Sequence, residues 1–337
     1  MNEGTSALAT PRRKLPVAGT NAGLGALLVA LVVLFTLMIG EKFFSTGVLR
    51  SMAFQIPELG LLSLAMMITL LSGGLNLSIV ATANLCSLTM AYVLTTSVPE
   101  TQGIAWGAWQ VAAVAAGFAV ATAIGLINGY VIAYFGVSPI LATLGTMTMV
   151  KGLSIGLTHG GVLSGFPEPI VFIANGTLLG IPFAMFVFVL CAIPVAVMLR
   201  RSPFGNAIYM LGSNPEATRF SGVPTRRVII KLYVLSSLLA GVAALVMMSR
   251  FNSANAAYGE SYLLVTILAA VLGGTDPYGG FGKVGGLILA LIILQVISSA
   301  FNLLGFSQFL TIALWGALLL TTSVFALWYR GHLRWHV

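Results

Sequence analysis

The chain has 337 residues, of which 58% are hydrophobic and 7% are charged. A soluble domain carries about 25% charged residues, so this composition excludes an ordinary soluble protein and predicts an integral membrane protein. The formal net charge of +8 does not indicate nucleic-acid binding, because the basic residues cluster in short segments beside apolar runs.

The apolar runs are continuous and about 20 residues long, which is typical of membrane-spanning helices rather than of barrel strands. Helices satisfy their own backbone polar groups in lipid, so we predict an all-α fold, a polytopic transmembrane helical bundle of about ten spans. The predicted spans are residues 22–40, 51–71, 77–96, 107–134, 138–158, 181–200, 228–249, 261–274, 284–302 and 308–328.

The first apolar run is too long for the core of a signal peptide and lacks a small-residue cleavage site, so we interpret it as a retained helix. With the N-terminus in the cytoplasm, an even number of spans returns the C-terminus there. We therefore predict cytoplasmic tails at residues 1–21 and 329–337, a transmembrane domain at 22–328, and a cytoplasmic loop at about 201–227.

The distribution of basic residues supports this orientation, because cytoplasmic segments of membrane proteins are enriched in Lys and Arg. Twelve of the 16 basic residues lie in the predicted inside segments or at the adjoining span ends. These are Arg12, Arg13, Lys14, Arg200, Arg201, Arg219, Arg226, Arg227, Lys231, Lys283, Arg330 and Arg334.

The sequence LSGGLNLS at residues 71–78 interrupts a long apolar stretch. We interpret Gly73 and Gly74 as a turn at the cytoplasmic end of one span. Asn76 or Ser78 can then cap the first free N–H groups of the next helix.

A second glycine pair resembles the first. Gly273 and Gly274 end the short eighth span, and Asp276 follows them after one residue, as Asn76 follows the first pair. Two glycine-interrupted segments in the two halves of a chain are typical of transporters built from repeats.

The predicted cytoplasmic loop contains a short helical segment. Asn214 is a favourable N-cap, Pro215 suits the first turn, and Glu216 lies near the positive end of the helix. Gly222 then ends it. From these residues alone, the segment is either a docking element or a solvated connector.

Polar side chains within the spans are candidates for a transport pathway or a gate. The ionisable ones are Glu58 and Lys151, and charged groups at this depth are costly. Alternatively, they pair within the bundle, and the hydroxyls bond to their own helices or join helices. The pathway or gating residues on the first interpretation are Asn76, Ser78, Thr82, Asn128, Thr143 and Glu58.

Catalytic motifs have little support in this chain. The GxSxG match at 152–156, with His159 nearby, lies within a predicted span, whereas a nucleophile elbow needs a strand-to-helix turn. The GxGxxG match at 280–285 lacks a preceding strand, and no Walker A sequence is present. The cysteines and histidines form no metal-ligand spacing, so we expect no metal site and no enzyme activity.

Six sequence blocks then occur in a fixed order. They are GGLNLS at 73–78, GLINGYVIAYFGVSPILATLGTMTMVKGL from 125, GSNPEATRFSG at 212–222, YVLSSLLAGVAALVMMSR from 233, AAVLGGT ending at 275, and NLLG at 302–305. In this order they resemble the permease subunits of ribose-, xylose- or arabinose-type monosaccharide ABC importers, over about residues 51–327.

The resemblance implies a multi-pass permease of the bacterial inner membrane that translocates a monosaccharide or polyol. Its implied partners are a second permease copy, a pair of ATP-binding subunits and a periplasmic solute-binding protein. The chain itself then binds no cofactor, because the ATPase uses the ATP and magnesium. The short helix becomes the ATPase-coupling helix, with coupling residues Gly212, Asn214, Pro215, Glu216, Ala217, Arg219, Ser221 and Gly222.

The chain departs from the family pattern at three positions. Asn76 stands where the family usually has Asp, Val80 where it has Gly, and Phe281 where it has Arg. We hypothesise a coupled loss of an acid and a base, with Lys283 partly replacing the base, because losing one partner of a buried pair costs more than losing both.

These departures leave the solute open. A nucleoside, amino acid or autoinducer permease of the same superfamily is the alternative, and an ion-coupled secondary transporter is the alternative from another class.

Overall fold

The computed structural model describes residues 17–98 and 102–332. These residues form thirteen α-helices, which dominate the architecture. The helices are α1 (Val17–Ile39), α2 (Thr46–Leu71), α3 (Ile79–Thr96), α4 (Ile104–Phe135), α5 (Pro139–Thr158), α6 (Glu168–Asn175), α7 (Phe183–Arg201), α8 (Pro203–Ser213), α9 (Pro215–Phe220), α10 (Thr225–Phe251), α11 (Tyr262–Leu272), α12 (Val284–Leu303) and α13 (Gln308–His332).

The strands in the described ranges are short. β1 (Leu163–Ser164) pairs antiparallel with β4 (Ser253–Ala254), and β2 (Thr177–Leu178) pairs antiparallel with β3 (Ile181–Pro182). A 3₁₀ turn at Gly40–Phe44 joins α1 to α2. None of these strands builds a layer, so the prediction of an all-α polytopic membrane protein is confirmed.

Eight of the described helices are long and apolar enough to cross a membrane, namely α1 to α5, α7, α10 and α12. Helix α11 has 11 residues. At about 1.5 Å per residue it covers roughly half of a 30 Å hydrocarbon layer. The described apolar part of α13, Gln308–Thr322, is also short. The count of ten spans therefore stays a prediction.

The predicted tails lie mostly outside the described residues. Residues 1–16 and 333–337 are not described, so the cytoplasmic placement of the two tails stays a prediction. Helix α1 begins at Val17, before the predicted start of the transmembrane domain at residue 22, and α13 continues to His332.

Helices α2 and α10 form the centre of the bundle. The apolar window of α2 is 83% buried, whereas that of α1 is 11% buried. Helix α10 packs against α4, α2 and α3, and α2 also contacts α7, α11 and α12. The outer helices α1, α4, α5 and α7 expose most of their apolar side chains, as expected for surfaces that meet lipid or another subunit.

Glycines allow α4 and α10 to approach closely. A Cβ atom on Gly125 would lie 2.7 Å from the Cα of Val234, and one on Gly129 would lie 2.7 Å from the Cα of Ile230. Small residues four apart are the usual device for tight helix contacts in membranes. This contact fixes the start of α10, and α10 follows the predicted coupling loop.

Two helices are absent from the sequence prediction. The loop at 201–227 holds α8 as well as α9, and the segment between α5 and α7 holds α6. Helix α6 is held by α10: Ser249 Oγ accepts the Ala174 N–H at 2.8 Å, and Asn175 Nδ2 donates to the Ser249 carbonyl at 2.8 Å. These contacts join distant segments, so local sequence patterns do not reveal them.

Candidate functional site

The C-terminus of α2 forms a tight glycine cap. Gly73 adopts a left-handed conformation with φ +83°. Its N–H donates to the Leu70 carbonyl at 2.9 Å, and the Gly74 N–H donates to the Thr69 carbonyl at 3.2 Å. This pair of bonds is a Schellman motif, which satisfies carbonyls that the helix end leaves free.

The C-terminus of α11 has the same cap. Gly274 has φ +84°. Its N–H donates to the Val271 carbonyl at 2.9 Å, and the Thr275 N–H donates to the Ala270 carbonyl at 2.9 Å. The similarity between the two glycine pairs is therefore also a similarity of backbone structure.

The structural correspondence between the two glycine pairs is shifted by one residue from the correspondence that the sequences suggest. Gly73 is the first glycine of its pair and Gly274 is the second, yet both occupy the left-handed position. Asp276 consequently corresponds to Leu75 in the structure, and Asn76 has a different counterpart. The acidic residue of the second turn is not an equivalent of Asn76.

The two glycine turns meet each other and the end of α8. The Gly280 N–H donates to the Leu71 carbonyl, the last of α2, at 2.8 Å. A Cβ atom on Gly279 would lie 2.5 Å from the Gly73 nitrogen, and one on Gly212 would overlap the Leu71 oxygen and the Gly280 nitrogen. Three backbone segments touch here with no room for side chains, and we call this contact the glycine junction.

A tyrosine fastens α8 to the second turn. Tyr209 Oη donates to the Gly282 carbonyl at 2.8 Å. Burial raises the pKa of Tyr209 above its usual value, so the hydroxyl remains a donor. Helix α8 is thus held to the glycine junction at both Tyr209 and Gly212.

Helix α9 follows α8 directly and is mostly exposed. Asn214 Oδ1 accepts the Ala217 N–H at 3.0 Å, as expected for an N-cap, and Pro215 lies in the first turn. Thr218 is buried, whereas Phe220 is 89% exposed. The other predicted coupling residues Glu216, Ala217, Arg219, Ser221 and Gly222 are exposed as well. An exposed helix with an exposed aromatic ring is suited to docking.

A buried hydrogen-bond network holds the first turn in place. Asn76 Nδ2 donates to Ser236 Oγ at 2.9 Å, and Asn76 Oδ1 accepts the Ser78 hydroxyl at 2.7 Å. Asn128 Nδ2 donates to Ser78 Oγ at 2.9 Å and its Oδ1 accepts the Thr146 hydroxyl at 2.6 Å. The network joins the turn to α3, α4, α5 and α10.

Two further bonds extend the network. Ser236 Oγ donates to the Ala65 carbonyl of α2 at 2.8 Å. Thr143 Oγ1 accepts the Leu77 N–H at 3.1 Å. The side chains of Asn76, Ser78, Asn128 and Thr143 are fully buried. These predicted pathway residues form one satisfied cluster in this conformation, and their role in a pathway stays a prediction.

Thr82, the remaining neutral residue predicted for the pathway, is also fully buried. Its hydroxyl has no hydrogen-bond partner among the described residues, and the same holds for the Tyr233 hydroxyl. The Tyr233 oxygen lies 2.7 Å from where a Cβ atom on Gly74 would stand. The interior beside the first turn thus holds unused hydrogen-bonding groups.

Glu58 forms an ion pair within the bundle. Arg250 Nη1 donates to Glu58 Oε1 at 2.7 Å, and Tyr262 Oη donates to the same oxygen at 2.6 Å. The side chain of Glu58 is 1% exposed and that of Arg250 is 23% exposed. These bonds connect α2, α10 and α11 at the end of α10 farthest from α9.

The second ionisable span residue is paired at the surface. Lys151 Nζ of α5 lies 2.7 Å from Glu260 Oε1, with both side chains well exposed. Glu58 and Lys151 therefore both have a partner of opposite charge. The Glu58 pair lies within the bundle, as the alternative interpretation proposed, and the Lys151 pair lies at its surface.

The GxSxG match has no nucleophile geometry. Ser154 lies within α5 and is buried, and its hydroxyl donates to the Val150 carbonyl one turn earlier at 2.8 Å. His159 follows at the helix end. The structure therefore gives no support to a nucleophile elbow at Ser154.

Several residues of these clusters were absent from the predicted site, namely Tyr209, Ser236, Arg250 and Tyr262. Arg250 carried a signal in the sequence, because a cation at the predicted outer end of a span departs from the basic-residue bias and needs a partner of opposite charge. The others have no local signal, since their partners lie far away in the sequence.

The fold and the glycine junction define a class of protein: a polytopic helical membrane protein in which an exposed loop helix, α9, follows a helix, α8, that contacts the turns at the ends of α2 and α11. The family model described as "Branched-chain amino acid transport system / permease component" matches residues 48–323. The chain belongs to this family. It is an inner-membrane permease subunit of an ABC importer, a transport component whose ATPase is a separate partner.

Similar proteins cover nearly the whole chain. The "Autoinducer 2 import system permease protein LsrD" of Yersinia enterocolitica serotype O:8 / biotype 1B is 30% identical over 312 residues, 91% of this chain and 91% of that protein. The protein of the same name from Photorhabdus temperata is 29% identical over 312 residues, 91% of this chain and 90% of that protein. No solved structure matches the chain.

Proposed function

We propose that the chain moves a monosaccharide or related polyol across the inner membrane after a periplasmic binding protein delivers it, driven by ATP hydrolysis in the partner subunits. The contact of Gly212 with both glycine turns supports the coupling to ATP hydrolysis, because it joins an exposed docking helix to the ends of α2 and α11.

The coupling step follows from this connection. Helix α9 is six residues long and presents Phe220 to its surroundings. A partner that grips α9 moves α8, because only Asn214 separates the two helices. Tyr209 and Gly212 pass the movement to the glycine junction. Packed backbone segments shift between discrete arrangements, so a small displacement there re-positions α2, α3, α11 and α12.

Reconstitution with the partner subunits tests the coupling role. The variant Phe220→Ala should keep the chain folded, because the ring is 89% exposed, and should lower both solute uptake and the ATPase stimulation caused by loaded binding protein. The control Phe309→Ala removes a ring that is 83% exposed at the start of α13 and should leave both rates unchanged. Equal rates for the Phe220→Ala variant and the wild type would reject α9 as the coupling helix.

The solute proposal rests on the relatives and on polar chemistry. Both relatives carry the name of an autoinducer-2 import permease, and autoinducer-2 is a sugar-like molecule. Hydroxyl and amide groups recognise such molecules without a charged partner. Uptake of labelled autoinducer-2 and ribose should saturate in the reconstituted importer. Leucine should not compete with either of them. Uptake of leucine without uptake of autoinducer-2 or ribose would reject the proposal that the solute is a sugar.

We further propose ten spans, both termini on the α9 side of the membrane, and a second permease copy in the assembled importer. The family resemblance supports the second copy. Co-expression of two differently tagged copies followed by purification through one tag tests whether the pair is identical: recovery of both tags indicates a homodimer, and recovery of one tag indicates a different second permease.

A further inference from the structure

An apolar groove of about 350 Å³ lies between α4 and α10 on the outside of the bundle. Its walls are Leu126, Ile127, Tyr130 and Val131 of α4 and Ile230 of α10. A volume of this size is within the range of small-molecule sites, and such sites are mostly apolar. The groove is separate from the glycine junction and from the buried hydrogen-bond network.

One end of the groove is cationic and aromatic. Arg226 lies one helical turn before Ile230 on α10, and its guanidinium carbon is 5.0 Å from the centre of the Tyr134 ring. Tyr134 stacks on Tyr130, with ring centres 4.6 Å apart. Tyrosines of this kind are enriched where a membrane protein crosses from hydrocarbon to headgroups. The groove therefore runs from the hydrocarbon region toward the headgroup region.

Three cations occupy the first two turns of α10, and one of them, Arg226, lies at this end of the groove. Arg226, Arg227 and Lys231 are exposed. Among the residues that the structure describes, none of the three forms an ion pair with a carboxylate. Three cations within two turns of α10 create a strong local attraction for an anion.

We propose that the groove binds one acyl chain of an anionic phospholipid, with its phosphate held by Arg226 and Arg227. The apolar walls fit the acyl chain, and the cations fit the headgroup. A second copy of this chain is a poorer occupant, because the net charge of +8 gives it little negative charge to offer. The lipid lies at the start of α10, which follows α9 closely, so it braces the helix against which the docking element moves.

Native mass spectrometry of the full chain released from nanodiscs with equal phosphatidylglycerol and phosphatidylcholine tests this proposal. The wild type should retain mainly phosphatidylglycerol. The double variant Arg226→Gln/Arg227→Gln should lower the ratio of bound phosphatidylglycerol to phosphatidylcholine about 25-fold, since each cation near the membrane surface strengthens binding about fivefold. The control Arg200→Gln/Arg201→Gln removes the same charge from the end of α7 and should keep the wild-type ratio.

A second variant separates the groove from the charge. Ile127 is 46% exposed, so the substitution Ile127→Trp fills the groove without entering the core. It should abolish the preference for phosphatidylglycerol although all cations remain, whereas binding of a free anion would be unaffected. The proposal fails if Ile127→Trp keeps the wild-type ratio, or if the Arg200/Arg201 control loses as much lipid. It also fails if the groove variant breaks a chain dimer, which would make the groove an interface between copies.

Discussion

Asn76 lies at the centre of the buried hydrogen-bond network, where its side-chain amide both donates and accepts a hydrogen bond. The Nδ2 group donates to Ser236 Oγ, whose own hydrogen goes to the Ala65 carbonyl. A carboxylate in place of this amide would set an acceptor against an acceptor and bury a charge. The resemblance described in the sequence analysis implies an Asp at this position, and the surroundings of Asn76 in this chain do not suit an ionised Asp.

The substitution Asn76→Asp should therefore destabilise the chain by about 3 kcal/mol, the usual scale for an uncompensated buried charge. The thermal unfolding midpoint of the purified chain in detergent measures this loss. Asn302→Asp makes the same chemical change at an exposed position and serves as the control. An unchanged midpoint for Asn76→Asp would show that the site already offers a positive partner.

The double variant tests the hypothesis of a coupled loss. Phe281 lies in the second glycine turn with its side chain 45% exposed, and the partners of Asn76 are Ser236 and Ser78. If the two positions form a charge pair in the family, adding Phe281→Arg to Asn76→Asp should recover part of the lost stability and transport. Additive effects of the two substitutions would reject the pairing.

Two ion pairs with the same nitrogen–oxygen distance but different burial allow a test of what burial contributes to stability. Arg250 Nη1 lies 2.7 Å from Glu58 Oε1, and the Glu58 side chain is 1% exposed. Lys151 Nζ lies 2.7 Å from Glu260 Oε1, and both of these side chains are exposed. Replacing the Glu58 carboxylate by an amide removes the negative charge that Arg250 pairs with, although the amide oxygen can still accept a hydrogen bond from Tyr262. Surface ion pairs contribute about 0–1 kcal/mol, and breaking a buried pair costs several kcal/mol.

Glu58→Gln should accordingly lower the free energy of unfolding by about 2 kcal/mol. This is less than for a fully buried ion pair, because the side chain of Arg250 is 23% exposed. Glu260→Gln should lower it by less than about 1 kcal/mol. Unfolding midpoints of the two variants give the comparison. Equal shifts would mean that water reaches Glu58 in solution, as its predicted role in the transport pathway requires.

At the scale of elements, the glycine junction makes a steric prediction. A Cβ atom on Gly212 would overlap the Leu71 oxygen and the Gly280 nitrogen, and both are backbone atoms that cannot rotate away. Gly212→Ala should therefore push α8 off the two turns. Helices α2 and α10 pack mainly against other long helices and only to a small extent against α8, so we expect the chain to insert and purify but to lose most ATP-driven uptake.

Gly285→Ala provides the matched control for this variant. Gly285 lies in the first turn of α12, close to the junction, and a Cβ atom there meets nothing within 4 Å. It should transport at the wild-type rate. If Gly212→Ala also transports normally, α8 does not transmit movement to the turns, and the coupling path must run elsewhere.

Local chemistry predicted part of this site and packing determined the rest. The cap at Asn214 follows from a neighbouring Pro and a helix start, and the structure contains that bond. Which glycine of a pair becomes left-handed depends on where packing ends the helix, so the sequence comparison was offset by one residue at Gly73 and Gly274. The bond from Tyr209 to Gly282 links segments 73 residues apart and left no local pattern.

At the scale of the whole molecule, α11 decides the topology, because its 11 residues reach only about halfway across a bilayer. With ten spans, the turn that follows α11 opens to the side of α9. A membrane-impermeant maleimide should then label Tyr278→Cys, which is 69% exposed, from the same side as Ser221→Cys and from the side opposite Gly161→Cys, each in a Cys191→Ser background. If Tyr278→Cys is labelled together with Gly161→Cys, the turn after α11 does not lie beside α8 in the membrane, and both the ten-span topology and the glycine junction are wrong.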